Sequence, residues 1–274
     1  MQSKVKIAFI GGGNMAQALI GGLADKLTAA ANIHVVDINE AALAVLRDKF
    51  KVTTATAAGD AVAASDVIVL AVKPQQMREV VATLRPLVSQ QLVLSIAAGI
   101  RAADLSRWLD GHTAIVRTMP NTPALIGKGI TGAVAMGGVS AEQKQLADAI
   151  LRAVGDTVWL DDEGKIDAVT ALSGSGPAYV FYFIEAMQAA AIELGLTGAQ
   201  GRELAQATFA GAAELAIRSD EPVSLLRERV TSKGGTTYAA LTSMEASGVK
   251  AAIVKALHAA AARGKELGEE FGKG

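Results

Sequence analysis

The stretch Val5-Lys6-Ile7-Ala8-Phe9-Ile10-Gly11-Gly12-Gly13-Asn14-Met15-Ala16 decides the fold. A β-branched, apolar run ends in glycines and passes at once into a helical pattern, which continues over Gln17–Leu27. Gly11–Ala16 matches G-x-G-x-x-[GA], and it stands in the strand–turn–helix context that dinucleotide binding requires. Gly11 permits the tight turn, Gly13 lets the backbone approach a pyrophosphate, and Ala16 allows close packing of helix on strand. A helix opening at Asn14 and Met15 aims free N–H groups at the phosphates.

The same alternation runs outward along the chain. Strand-like runs are expected at His34–Asp37, Val67–Val72, Leu92–Ile96, Ala114–Met119 and Ile130–Met136, with a helix over Glu40–Phe50. Continuous apolar strands separated by helices imply a mainly parallel sheet covered on both faces. Right-handed crossovers make it a doubly wound, Rossmann-type α/β fold. After about residue 160 the strand signal stops, and Ala- and Leu-rich helical patterns continue to the end. The expected organisation is therefore a dinucleotide-binding domain over 1–160 and an all-α domain over 161–274. The helix near 177–196 is apolar nearly all round, which suits a homodimer interface.

Composition limits the function classes. With 274 residues, 51% of them apolar, and a net charge of −1, the chain reads as globular, without the basic face that nucleic acid demands. The absence of cysteine excludes disulfides and thiolate chemistry. The three histidines, His34, His112 and His258, show no metal spacing. Glu185 and Glu193 interrupt the most apolar helix, against a membrane span. The first residues carry no apolar signal core, so a soluble, cytoplasmic protein is expected.

Four further positions carry candidate chemistry. Asp37 lies 24 residues past Gly13 (13 to 37), close to the spacing at which an acid binds the adenosine ribose. That favours NAD, but Asp37 or Asn39 is equally suited to cap the helix at 40–50. Leu70-Ala71-Val72-Lys73-Pro74 ends a strand, where open α/β sheets bind ligands. Asn121, between Pro120 and Pro123, sits in a stiff turn able to hold its amide toward a nicotinamide, or simply in a rigid loop. Val230-Thr231-Ser232-Lys233-Gly234-Gly235-Thr236-Thr237 breaks one helix and starts another, giving N–H groups and hydroxyls suited to a carboxylate, or a plain glycine hinge.

Together, Gly11–Ala16, Ala71–Pro74, Met119–Pro123, Ser173–Tyr179 and above all Val230–Thr237 resemble the pyrroline-5-carboxylate reductase family over essentially the whole chain. The family usually has Pro where this chain has Lys233. The resemblance implies a Rossmann domain and a helical domain that interlocks two subunits, and it permits a ring of five dimers, a decamer. It implies 1-pyrroline-5-carboxylate as substrate and NADPH as cofactor, with NADH the alternative. It also implies that Ser232, Gly234, Gly235 and Thr236 cradle the substrate carboxylate, and that Thr237 is the catalytic hydroxyl bonded to the ring nitrogen. Gly11, Gly13, Asn14, Met15, Ala16, Asp37, Leu70–Pro74 and Asn121 are the positions expected to line the dinucleotide. The rival readings are a 3-hydroxyacid dehydrogenase, which needs a lysine base such as Lys165 or Lys233, and a non-catalytic dinucleotide sensor.

Overall fold

The computed structural model describes residues 4–273. Among these, eight strands form one sheet: β1 (Ile7–Ile10), β2 (Ile33–Val36), β3 (Thr53–Ala55), β4 (Val67–Leu70), β5 (Leu92–Ser95), β6 (Ile115–Met119), β7 (Gly129–Ala135) and β8 (Gly155–Trp159). Their spatial order is β3-β2-β1-β4-β5-β6-β7-β8. All neighbours are parallel except β6 and β7, so the last two strands run against the rest. The connecting helices are α1 (Asn14–Leu23), α2 (Glu40–Phe50), α3 (Asp60–Ala63), α4 (Pro74–Leu84), α5 (Ala102–Trp108) and α6 (Ala141–Arg152).

Side-chain alternation along the strands builds two cores. Ile7, Phe9, Val67, Val69, Leu92 and Leu94 face one side, against Leu19 and Ile20 of α1, Leu43 and Leu46 of α2, and Ile150 of α6. Ala8, Ile10, Ile68, Leu70 and Val93 face the other, against Met77 and Val81 of α4 and Leu105 of α5. This is why the strands read as continuous apolar runs. Burying each large side chain stabilises the fold by about 1.5–3 kcal/mol. The crossing point where β1 leads left to β2 and β4 leads right to β5 puts the glycine turn at the carboxyl edge of the sheet.

Downstream lie α7 (Ile166–Val169), a π-helical turn over Thr170–Gly174, α8 (Gly176–Glu193), α9 (Gly198–Arg218), α10 (Val223–Arg229), α11 (Thr236–Ala246) and α12 (Val249–Phe271). The chain divides into two compact units at Ser175/Gly176, and the residues from Ala260 onward belong with the first. That division lies beyond the expected boundary at 160. The reason is local packing. Ile166 and Ala171 are buried, and Val169 fills the space above Gly132 of β7, where an added Cβ would come within 2.6 Å of it. The end of α12 returns to the same unit, with Phe271 against Gly99 and Glu269 paired to Arg101.

In the second unit, α8 packs on α9 through the close approach of Gly201 to Ala191 and a Phe183–Phe209 ring contact with centroids 6.4 Å apart. A Thr197/Gln200 capping box starts α9. No residue of α8 is buried by the chain itself, and Phe181 and Tyr182 remain 61% and 71% exposed. An apolar surface of this size on a long helix is characteristic of an interaction face. Among the described residues no helix is long and apolar enough to cross a membrane.

Candidate active site

One candidate site is the β1–α1 turn. Gly11 has φ +101°, and a Cβ there would lie 2.6 Å from the Ala71 carbonyl oxygen. Only glycine fits both that dihedral and that approach. The Gly11 N–H donates to the Val36 carbonyl at 2.7 Å, and the Gly12 N–H to Asp37 Oδ2 at 2.7 Å. Gly13 is the N-cap of α1. It has no side-chain cap and nothing within 4 Å of its Cβ position. The first N–H groups of α1, at Asn14, Met15 and Ala16, therefore open beside bare backbone, which is the environment a pyrophosphate requires. The residues present fit a dinucleotide.

Asp37 follows β2 as expected, but its carboxylate has structural work. Oδ2 holds Gly12, and Oδ1 accepts the Asn39 N–H at 2.9 Å. Each oxygen can accept a second bond, so capacity remains for ribose hydroxyls. The cap of α2 is Asn39, whose side chain accepts from the Ala42 N–H. Leu70 is fully buried, Ala71 and Val72 are half-buried, and Lys73 is exposed as the N-cap of α4 with Pro74 at its first position.

Of the two readings of Asn121, the bonds of its amide follow the rigid loop. Its Nδ2 donates to the Ser173 carbonyl at 3.1 Å, its Oδ1 accepts the Ile130 N–H at 2.9 Å, and the residue is buried. The amide braces the end of β6 against the π-turn and β7, and its oxygen and its NH2 each retain capacity for a second bond. Met119 presses the same turn, since its Cε lies 2.5 Å from the Cβ position of Gly174. The sequence reading did not anticipate the π-turn; its one local sign is the Ser173-Gly174-Ser175-Gly176-Pro177 run.

A second candidate site, within the second unit, is the loop before α11. The Gly235 N–H donates to the Ser232 carbonyl at 3.0 Å, closing a four-residue turn in which Gly234 takes φ +73°. This is the positive-φ position that glycine fills without cost. Ser232 Oγ sits 2.6 Å from the Cβ position of Gly235. Gly235 is the N-cap of α11, with no side-chain cap and no acid in the first turn. Thr236 and Thr237 therefore present N–H groups and hydroxyls at an uncompensated positive helix end. Ser232, Gly234, Gly235, Thr236 and Thr237 are thus adjacent in one turn at the start of α11. A cavity of about 520 Å³ lies behind it, lined by Thr231, Tyr238 and Thr242 among others.

Lys165 pairs with Asp161 at 2.5 Å on the exposed surface, and this hydrogen bond raises its pKa above the ordinary lysine value. Glu163 stands in the first turn of the short 3-10 helix Glu163–Lys165, which Asp162 caps, and its carboxylate accepts from the buried Arg117 at 2.9 Å and from the Ala102 N–H at 2.7 Å.

Residues 163–267 match the family model described as pyrroline-5-carboxylate reductase dimerisation, and residues 6–99 match NADP oxidoreductase coenzyme F420-dependent. The chain is 46% identical to the pyrroline-5-carboxylate reductase of Pseudomonas aeruginosa, over 99% of this chain and 100% of that one. Its fold is similar to the pyrroline-5-carboxylate reductase structure from Coxiella burnetii, with TM-score 0.90 and 40% identity over 97% of this chain and 99% of that one. It is also similar to the Plasmodium falciparum pyrroline carboxylate reductase with NADP bound, with TM-score 0.87 and 29% identity over 98% and 100%. A doubly wound sheet with a phosphate-ready glycine turn, a helical region with an anion-ready loop, and full-length identity at this level have one reading: the chain belongs to the pyrroline-5-carboxylate reductase family.

Proposed function

We propose that the protein reduces 1-pyrroline-5-carboxylate to L-proline, the last step of proline biosynthesis, using NADPH, with NADH accepted in its place. The observation that carries this reading is the uncapped α11 start with Gly234 at φ +73° and hydroxyls on either side. A cyclic imine bearing a carboxylate matches that loop, and the full-length identity to pyrroline-5-carboxylate reductases supports the same substrate. NADPH is supported by the match to an NADP oxidoreductase model and by a relative solved with NADP.

In this reading the N–H groups of Gly234 and Thr236, with Ser232 Oγ, hold the carboxylate, and Gly235, whose N–H closes the turn, shapes the cradle. The Thr237 hydroxyl orients the ring nitrogen and leaves its proton in place. A protonated imine is already electrophilic, so the protein need not contribute a strong acid. The bound reduced nicotinamide supplies a hydride to the imine carbon. Gly11, Gly13 and the α1 N–H groups of Asn14, Met15 and Ala16 bind the pyrophosphate. Asp37 meets the ribose, and Leu70–Pro74 with Asn121 shape the nicotinamide end. Positioning two reactants in this way lowers a barrier by roughly 7–11 kcal/mol.

Domain 161–274 serves as the substrate and dimerisation domain in this proposal. The bare apolar faces of α8 pair with a second copy, and five dimers closing a ring would give a decamer. Light scattering on the purified protein separates dimer from decamer. The functional test follows nicotinamide absorbance with pyrroline-5-carboxylate and with 3-hydroxy acids. Oxidation of reduced cofactor by the imine alone supports the proposal, and turnover of the hydroxy acids alone overturns it.

A further inference from the structure

The second strand and its helix carry an ionic arrangement that the glycine motif does not explain. Arg47, on α2, donates from Nη2 to Glu40 Oε1 and from Nη1 to Thr54 Oγ1 of β3, each at 2.7 Å. Glu40 is the first residue of α2, three positions past Asp37. Thr54 pairs with Val35 in the β2–β3 ladder, and Asp37 extends that ladder by donating to the Ala55 carbonyl. The guanidinium is thus anchored to a residue level with Val35, two residues, or about 7 Å of strand, before Asp37. The other cation of this helix, Lys49, lies over the Phe50 ring.

Asp37 marks where the adenosine ribose is expected, and a 2′-phosphate would extend from that ribose toward the start of α2. Two carboxylates, Asp37 and Glu40, stand at this β2–α2 junction, and their charge opposes a dianion there. Arg47 offsets them, but in this structure it is occupied. Its pair with Glu40 is exposed on both sides, at 42% and 62%, and such pairs exchange partners at little cost.

We propose that Arg47 is the residue that takes the 2′-phosphate of NADPH, and that Glu40 holds it when NADH is bound. The pair then determines how strongly the enzyme discriminates between the two nucleotides. When NADPH binds, the guanidinium leaves Glu40 for the phosphate, where bidentate contact is available. When NADH binds, Glu40 keeps Arg47 satisfied and Asp37 faces a free hydroxyl. This inference rests on the reading of a reduced nicotinamide dinucleotide as the donor.

The test titrates NADPH and NADH separately into wild type, Arg47→Met and Glu40→Gln, with dissociation constants read from nicotinamide fluorescence and no imine present. Arg47→Met is expected to weaken NADPH by roughly tenfold or more, the loss of a charged hydrogen bond, while NADH changes by less than about twofold. Glu40→Gln is expected to tighten NADPH and leave NADH alone, and it guards against an Arg47 variant that merely folds poorly. An unchanged ratio of the two constants in both variants overturns the inference. If wild type binds neither nucleotide, the functional reading fails with it; if both bind and the ratio stays fixed, this inference alone fails.

Discussion

Replacing Gly11 by alanine should damage the fold before it damages the chemistry. The added Cβ would stand 2.6 Å from the Ala71 carbonyl oxygen, 2.8 Å from its carbon and 3.0 Å from the Val72 nitrogen. All three are backbone atoms at the end of β4, so no side chain can rotate out of the way. The φ of +101° adds strain of about 1–3 kcal/mol for a residue with a Cβ. Forcing the turn off β4 adds about 1–3 kcal/mol of overpacking. Together these give roughly 2–6 kcal/mol, or a fall in Tm on the order of 5–20 °C. Gly13 provides the contrast. Its Cβ position meets nothing within 4 Å, so Gly13→Val should leave the free protein's Tm within a degree or two of wild type while abolishing dinucleotide binding, because the side chain would occupy the pyrophosphate position. Calorimetry on the free proteins and cofactor titration on both give the comparison. A Gly11→Ala protein with wild-type Tm, or a Gly13→Val protein with wild-type cofactor affinity, would refute the reasoning.

Other consequences are equally checkable. Thr237→Ala should lower kcat by roughly tenfold or more with an unchanged dinucleotide dissociation constant, since one hydrogen bond to substrate is lost; full turnover in stopped-flow assays would remove Thr237 from the mechanism. Lys233 occupies the second position of the turn closed by Gly235, where proline is favoured, so Lys233→Pro should stabilise the protein by about 0.4–1 kcal/mol, read as a raised urea midpoint. Burial lowers the pKa of His34 below its ordinary value. The folded state thus disfavours the charged imidazole, and its stability contribution, complete above about pH 6.5, is lost as pH falls through the depressed folded value. Urea midpoints between about pH 7.5 and pH 5 should fall less steeply for His34→Gln than for wild type.

Much of the architecture was legible because burial on both sheet faces leaves uninterrupted apolar runs. The helix at Glu40–Phe50 has its expected ends because Asn39 caps one and Lys51 closes the other with a left-handed φ of 59°. The first helix opens at Asn14 as expected, but it ends at Leu23 rather than Leu27, since Asp25 at φ 59° turns the chain away. Two edge strands escaped notice. Thr53–Ala55 is short and flanked by small residues, and Gly155–Trp159 begins at a glycine with φ +150° and alternates Asp, Thr and Val without an apolar run. At the site, glycine positions announce themselves, because the dihedral or the approach permits nothing else. Partner choice does not. Nothing in residue spacing says that Asp37 bonds Gly12, that Asn121 braces Ser173, or that Arg47 reaches Glu40 and Thr54. Those depend on which side chains the sheet brings together across 25, 52 and 7 residues of chain.

The most direct test of the central claim follows the hydrogen itself. Reduced cofactor carrying deuterium at the transferring position of the nicotinamide is incubated with the protein and 1-pyrroline-5-carboxylate, and the product is examined by mass spectrometry and NMR. The expected result is L-proline with a single deuterium on its δ carbon, the former imine carbon. Unlabelled proline, or cofactor oxidised without any proline formed, would contradict direct transfer to the imine and the function built on it.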